Sequence, residues 1–271
     1  MTEPFVWSDP NRPLHIREWE EKHPDLVAGF TLRTGGVSEP PFSASNMGLH
    51  VGDADERVVA NRKRLAQQLG MPFETWTCAE QVHGNTVCQV TAGGAGRESL
   101  ADVVPAADGL HTNRTGILLT SFYADCVPLF FLDPTTGAIG LAHAGWKGTV
   151  GRIAEEMVKA FHSHYGTRAE ELQVAIGPSI GGCCYEVDER IAERVRKSAE
   201  NWQAAITPRE NGRYLLDLAR LNQEILAESG VQEEQVLRTS WCTSCRTDLF
   251  FSHRKEAGKT GRMASFIGWK E

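Results

Sequence analysis

The sequence lacks an excess of positive charge: among 271 residues, 28 Lys and Arg stand against 35 Asp and Glu, a net charge of −7. A chain of that sign has no electrostatic footprint for DNA or RNA, whose phosphates recruit clustered cations. It also lacks an apolar run able to span a bilayer, because the most apolar stretch, 116–132, is interrupted by Thr120, Ser121, Asp125 and Pro128. No basic segment leads into an apolar one at the N-terminus, so a secretory leader is not expected. Cysteine is present but not dense: seven residues, an odd count, do not make the framework of a small secreted domain. These absences describe a soluble cytoplasmic protein with reduced thiols and neither nucleic acid nor membrane as partner.

The hydrophobic content of 41% and charged content of 23% belong to a globular chain that can bury a core. At about 150 residues per domain, the length allows one large domain or two small ones. No repeat and no compositional break marks a linker, which favours one. Residues 1–24, with Pro10, Pro13 and Pro24, read as a loosely ordered arm. Residues 25–271 read as a single domain.

Periodicity predicts a helix over 54–70, capped by Asp53 or Asp55 and stopped at Gly70, with Val58, Leu65 and Leu69 inward. Arg57, Arg62, Lys63 and Arg64 read as its solvated face. A second helix starts after Trp146-Lys147-Gly148, where Val150, Ile153, Ala154, Met157, Val158 and Phe161 form one stripe. A third covers 216–229. Strand-like runs fall at 30–32, 75–82, 85–90, 107–110, 117–122, 129–132, 138–142, 174–176, 236–239 and 264–267. Mixed strands and helices indicate an α/β or α+β fold.

Three segments place a metal-type ligand beside a tight turn at the end of an apolar run: Gln81-Val82-His83-Gly84, Ala124-Asp125-Cys126-Val127-Pro128 and His143-Ala144-Gly145-Trp146-Lys147-Gly148. Two imidazoles and a thiolate make the three-ligand N/S set of a catalytic zinc, with a fourth position open. The separations are too long for a local knuckle, so the fold must assemble such a site. The same residues allow a nucleophile, Cys126, with His143 as base and Asp125 or Asp108 orienting it. On spacing alone, a structural role is the commoner one, with Cys126 a small buried hydrophobe and the histidines in turns.

Two further groups are less specific. Cys242-Thr243-Ser244-Cys245 and the pair Cys183-Cys184 are candidate soft-metal ligands, but adjacent cysteines in extended chain point apart, so no site is expected there. Ile176-Gly177-Pro178-Ser179-Ile180-Gly181-Gly182 resembles a backbone nest and lacks the Lys-Ser/Thr ending of a P-loop. Lys147, just before the strongest helix, sits where free N–H groups favour an anion, while Thr149 can serve equally as that helix's cap.

Taken together, the chain resembles the YfiH/YlmD family, the laccase-domain proteins once labelled multicopper polyphenol oxidoreductases and now regarded as purine nucleoside phosphorylases. The resemblance rests on Thr31-Leu32-Arg33-Thr34-Gly35-Gly36-Val37-Ser38, Asn46-Met47-Gly48-Leu49-His50-Val51-Gly52-Asp53, Asn61-Arg62, the three ligand segments, Ala107-Asp108-Gly109-Leu110, Ile176-Gly177-Pro178, Cys183-Cys184-Tyr185-Glu186-Val187 and Gly261-Arg262-Met263. These lie in the family's order across about 25–270. Gly182 stands where the family often has Pro, and His253 where it often has an aromatic; neither touches the trio.

The resemblance implies a single-domain sandwich of mixed β-sheets flanked by helices, similar to a bacterial toxin deamidase with a Cys-His site. It implies zinc on His83, Cys126 and His143, which are then also the catalytic residues, with copper as the other candidate metal. It implies phosphorolysis of adenosine, inosine and related nucleosides to base and ribose 1-phosphate, and adenosine deamination as a second activity. Arg33 and Lys147 are the candidates for phosphate, Asn46 for the sugar or base, and Asp125 for a supporting partner behind the ligands. The alternatives are a cysteine hydrolase editing peptidoglycan precursors and a copper-dependent polyphenol oxidase. The second needs several copper centres, yet there are nine histidines and a lone His-X-His pair, His162 and His164.

Overall fold

The computed structural model describes residues 3–7 and 9–271; the expectation for residues 1, 2 and 8 lies outside the described residues. Two six-stranded mixed sheets carry the fold. The first runs β1 (Phe5–Val6), β2 (Leu14–Ile16), β3 (Leu26–Phe30), β15 (Met263–Trp269), β7 (Leu118–Tyr123) and β4 (Trp76–Cys78). The second runs β14 (Val236–Arg238), β10 (Gln173–Ile176), β8 (Val127–Asp133), β9 (Ala138–Ala144), β6 (Gly109–Thr112) and β5 (Val87–Gln89). A three-stranded sheet of β11 (Glu186–Val187), β13 (Tyr214–Leu216) and β12 (Ile206–Pro208) stands apart.

Period-two alternation along the central strands decides what each sheet face meets. In β8, Phe130 and Leu132 join the core shared with the first sheet, while Val127, Leu129 and Phe131 join a second core on the opposite side. That second core is closed by α4 (Ile153–Tyr165) and α6 (Leu218–Glu228), through Met157, Phe161, Leu221 and Ile225. In β9, Ile139 and Leu141 face the first sheet, so the next residue in that set, His143, also belongs to the layer between the sheets. The outer face of the first sheet, Val27, Leu118, Phe122 and Phe266, is covered by α2 (Asp55–Leu69) through Leu65 and Leu69. The architecture is therefore the expected sandwich of mixed sheets flanked by helices.

Several local readings are corrected. The described part of the expected N-terminal arm is built into the first sheet: β1 pairs with β2, β2 with β3, and α1 (Arg17–Lys22) buries Trp19. Pro10 and Pro13 sit in the turn joining β1 to β2, where their fixed φ is tolerated. The long helix after Trp146 is two helices. α3 (Trp146–Val150) ends at Gly151, and Arg152 turns left-handed at φ 61° before α4 begins. The predicted stripe from Ile153 to Phe161 is buried, but Val150 is on α3, and Thr149 is inside α3 instead of capping it.

The α2 face is also wider than its apolar residues suggested. Val58, Asn61, Arg62, Leu65, Ala66 and Leu69 are all buried, at the spacing of one helical stripe. Arg62, expected on the solvated face, has no exposed surface. Asn61 accepts from Val37 N and donates to Ser38 Oγ and Asn46 O, which ties the 37–47 loop to the helix. Neither Asp53 nor Asp55 caps α2: Ala54 occupies that position, and the predicted stop at Gly70 is a left-handed C-cap at φ 69°. α5 (Glu189–Arg196), capped by Asp188 Oδ1 accepting from Ile191 N, and the small third sheet were not anticipated. Their strands are two or three residues long, too short for periodicity to register.

Candidate metal centre

Two of the three candidate ligands lie where the chain crosses from one sheet to the other. His83 is between β4 of the first sheet and β5 of the second, and Cys126 is between β7 of the first and β8 of the second. Both crossings use left-handed backbone at a non-glycine residue, φ 60° at His83 and 85° at Asp125. Such conformations persist only where surroundings impose them, and they gather at functional sites. The third candidate, His143, comes up from the inner layer at the end of β9. The ligand nitrogens of His83 and His143 and the sulfur of Cys126 lie within 4.8 Å of one another.

Asp108 organises this trio. Its carboxylate accepts from Val82 N (3.2 Å), His83 N (3.1 Å) and Gly84 N (2.7 Å), holding the His83 turn, and it pairs with His143 Nδ1 at 2.8 Å. With Nδ1 engaged by Asp108, Nε2 of His143 is the nitrogen free to meet Cys126 or a metal. Burial works against the Asp108 charge, but the His143 hydrogen bond and the backbone donors hold its carboxyl below the usual range.

Burial raises the Cys126 thiol, yet His143, and hydrogen bonding with both histidines, outweigh it and hold the thiol at about 6. Burial likewise opposes protonation of His143, but Cys126 and Asp108 overcome it and lift the imidazole to about 9. Without metal, the pair is therefore thiolate and imidazolium between those two values. After chelation, iodoacetamide modification of Cys126, followed by peptide mass spectrometry, is expected to rise with a midpoint near pH 6 instead of the ordinary thiol range. Restoring metal should protect the residue. A midpoint above 8 would contradict the thiolate–imidazolium pair.

The donor set fits a metal ion. Two imidazoles and a thiolate are three N/S donors, and a carboxylate fixes the orientation of one of them. Gly145 leaves room over them: a Cβ there would lie 3.1 Å from Cys126 Sγ, 3.1 Å from His83 Cδ2 and 3.9 Å from His143 Cε1. Any larger residue would fill the space above the ligands. Tyr123 closes the inner side, its ring 5.4 Å from that of His143 and its hydroxyl accepting from Ser265 Oγ.

The remaining predicted site residues are placed less favourably. The Asp125 carboxylate accepts from Thr243 Oγ1 (2.6 Å), Ser252 Oγ (3.1 Å) and Arg254 N (2.7 Å) and not from a ligand histidine, bracing the Cys126 turn from behind. Arg33 is an anchor for the 247–256 segment, donating to Thr247 O and Phe250 O, pairing with Glu256 at 3.0 Å and stacking over Phe251. Asn46 spends its amide on Gly48 O and Asp53, and its carbonyl on Gly48 N and Arg262 N. Both are therefore occupied by loop structure. Lys147 is exposed, with its ammonium 5.9 Å from the Trp146 ring centre.

Two residues went unassigned in the sequence. Arg262 is half-buried, its Nη1 donating to Thr260 O and Gly261 O, and desolvation pulls its pKa down against the charges of Cys126 and Asp125. His50 retains solvent contact, yet desolvation and the neighbouring Arg262, Arg62, His143 and His83 push its imidazole down to about 4. Both lie in segments that carry the family resemblance, but neither has a spacing that announces chemistry.

With this geometry, comparison with known proteins is decisive for the family. The family model described as multi-copper polyphenol oxidoreductase laccase matches residues 27–270. The chain belongs to this family. Within it, the chain is 42% identical to a Bacillus subtilis protein named purine nucleoside phosphorylase YlmD, over 99% of this chain and 98% of the other. It is 46% identical to the Geobacillus stearothermophilus protein of the same name, over 90% of each. The crystal structure of Geobacillus stearothermophilus YlmD superposes with a TM-score of 0.95 at 42% identity, covering all of both chains. The Bacillus licheniformis hypothetical protein YfiH gives 0.95 at 40% identity, over 99% of this chain and all of the other. Among the described residues of this laccase-domain chain, no helix is long and apolar enough to cross a membrane.

Proposed function

We propose that this chain is a zinc-dependent purine nucleoside phosphorylase, releasing base and ribose 1-phosphate from adenosine, inosine and related nucleosides, with adenosine deamination as a second activity. The observation that carries the reading is the His83–Cys126–His143 trio oriented by Asp108, in a chain 42–46% identical to proteins named purine nucleoside phosphorylase. His83, Cys126 and His143 would hold the ion, which supplies Lewis acidity and an activated water at neutral pH. Asp108 keeps the His143 ring aimed, and the bare backbone of Gly145 leaves space for substrate above it. For phosphate, Lys147 and Arg33 are the candidates. Asn46 is the candidate for the sugar or base, held in place by its hydrogen bonds to Gly48, Asp53 and Arg262.

The test is base release. Inosine with phosphate should yield hypoxanthine and ribose 1-phosphate, and adenosine without phosphate should yield inosine and ammonia. If metal-loaded protein releases no base from adenosine, inosine or guanosine at saturating phosphate, the reading fails.

A second reading has its own support. Cys126 lies beside His143, which pairs with Asp108 at 2.8 Å, and its thiol is held at about 6, the arrangement of a cysteine hydrolase that would act on peptidoglycan precursors. Turnover by metal-free protein, with Cys126 trapped by a substrate analogue, would favour it. The copper oxidase reading has less to stand on, because among the described residues only one metal-ligand group contains histidine.

A further inference from the structure

Cys183 and Cys184, expected to point apart, converge with Cys242 and Cys245. The Sγ atoms of Cys183, Cys184, Cys242 and Cys245 lie within 4.8 Å of one another. Cys183 and Cys184 are 3.7 Å apart, Cys183 and Cys245 3.6 Å, and Cys184 and Cys245 3.4 Å, and all are free thiols. The expectation failed because residues 181–184 are a tight turn, not extended chain: Cys184 N and Tyr185 N both donate to Gly181 O. The Cys242–Cys245 segment is a matching turn, closed by Arg246 N donating to Cys242 O. Thr243 N donating to Ser179 O, and a bridge between Ser179 and Cys242, dock the two turns side by side.

These spacings have a simple meaning. Sulfurs bound tetrahedrally to one ion at ~2.3 Å stand ~3.8 Å from one another, whereas disulfide partners stand ~2.05 Å apart. Four thiols this close leave room for a single ion and none for a cluster with its own sulfides. The Gly181 N–H donates to Cys242 Sγ at 3.2 Å, the kind of backbone donor that supports a thiolate ligand. No carboxylate or imidazole competes within the group. Cys242 is buried while Cys183 and Cys245 are exposed, so an ion can enter from solvent.

We propose that Cys183, Cys184, Cys242 and Cys245 form a second, structural zinc site, separate from the His83–Cys126–His143 trio. Binding releases the thiol protons to solvent and involves no electron transfer. Four protein ligands leave no open position, which makes the site structural and not catalytic. Its purpose follows from what its two turns hold. Thr243 Oγ1 donates to Asp125 Oδ1 at 2.6 Å, and Ile180 N donates to Asp125 O at 3.0 Å. Both walls of the tetrathiolate site thus grip the residue that precedes Cys126.

The experiment is metal counting on the full chain purified with zinc under reductant. The Cys126→Ala/His143→Ala double variant, with the trio disabled, should retain one zinc per chain. The Cys183→Ser/Cys245→Ser variant should lose one equivalent relative to the parent. To remain informative if that variant misfolds, the trio-disabled variant is also titrated with cobalt(II). Strong thiolate-to-cobalt charge-transfer absorption, with the visible envelope of a tetrahedral ion, is expected at one equivalent. A trio-disabled protein that holds no metal and gives no such spectrum overturns the proposal. So does an unchanged metal count in Cys183→Ser/Cys245→Ser. Because the first arm uses protein without a working trio, its outcome is independent of whether the chain is a phosphorylase.

Discussion

Cys126→Ala is expected to lower phosphate-dependent base release by at least about a hundredfold while leaving the fold intact. Removing a residue that merely supports a metal ligand costs roughly 10–100-fold, so removing the ligand itself belongs at or beyond the top of that range. Cys126 is at a sheet crossing and only half-buried, and its loss opens little core. The unfolding midpoint should therefore move little when activity collapses. Asp108→Asn supplies the graded control. The carboxylate accepts from three backbone N–H groups and His143 Nδ1, whereas an amide offers one oxygen and turns an NH2 toward the remaining donors. Its expected loss is about 10–100-fold in activity or metal affinity. Wild-type kcat/KM in Cys126→Ala would remove the trio from the mechanism.

Arg62→Met is expected to destabilise the protein by about 3 kcal/mol, the largest effect on stability from a residue outside the site. The guanidinium donates from Nε and Nη2 to Met47 O (2.9 and 2.7 Å) and from Nη1 to Gly96 O (2.7 Å) and Arg97 O (3.1 Å). It also packs over the rings of Phe122 and Trp76, 4.5 and 5.4 Å from their centres. Burial pulls its pKa down to about 10, so at neutral pH it remains a cation satisfied mainly by carbonyls. Methionine fills similar volume but strips Met47 O of both its donors and leaves Gly96 O with Cys78 Sγ alone, at about 1–3 kcal/mol for a buried carbonyl left bare before relaxation. Urea unfolding read by tryptophan fluorescence would measure the loss. A change below about 0.5 kcal/mol, the range of ordinary surface substitutions, would show that water replaces the guanidinium.

Both predictions illustrate what was legible in the sequence and what was not. The α2 stripe can be read from Val58, Leu65 and Leu69, but Asn61 and Arg62 share its spacing, and Arg62 reads as outward because charged side chains usually are. Their burial depends on the 37–47 loop folding over the helix and presenting carbonyls, which no helical period encodes. The central strands were located by their apolar runs. The N-terminal strands were missed because prolines masked them and because β1 and β2 exist only through pairing with their neighbours.

The same division holds for the chemistry. By itself, the sequence determined the family, the mixed sandwich and the three segments bearing His83, Cys126 and His143, because motifs and periodicity are local properties of the chain. The count of seven cysteines is a matter of composition, and composition says nothing about where thiols meet. Only the tertiary structure decided that Asp108, not Asp125, orients His143, and that Arg33 and Asn46 are hydrogen-bonded into the loops around them. It also decided that Cys183 and Cys184 turn toward Cys242 and Cys245. Each of those outcomes joins residues tens to hundreds of positions apart, at contacts set by two sheets packing face to face and by the turns that cross between them.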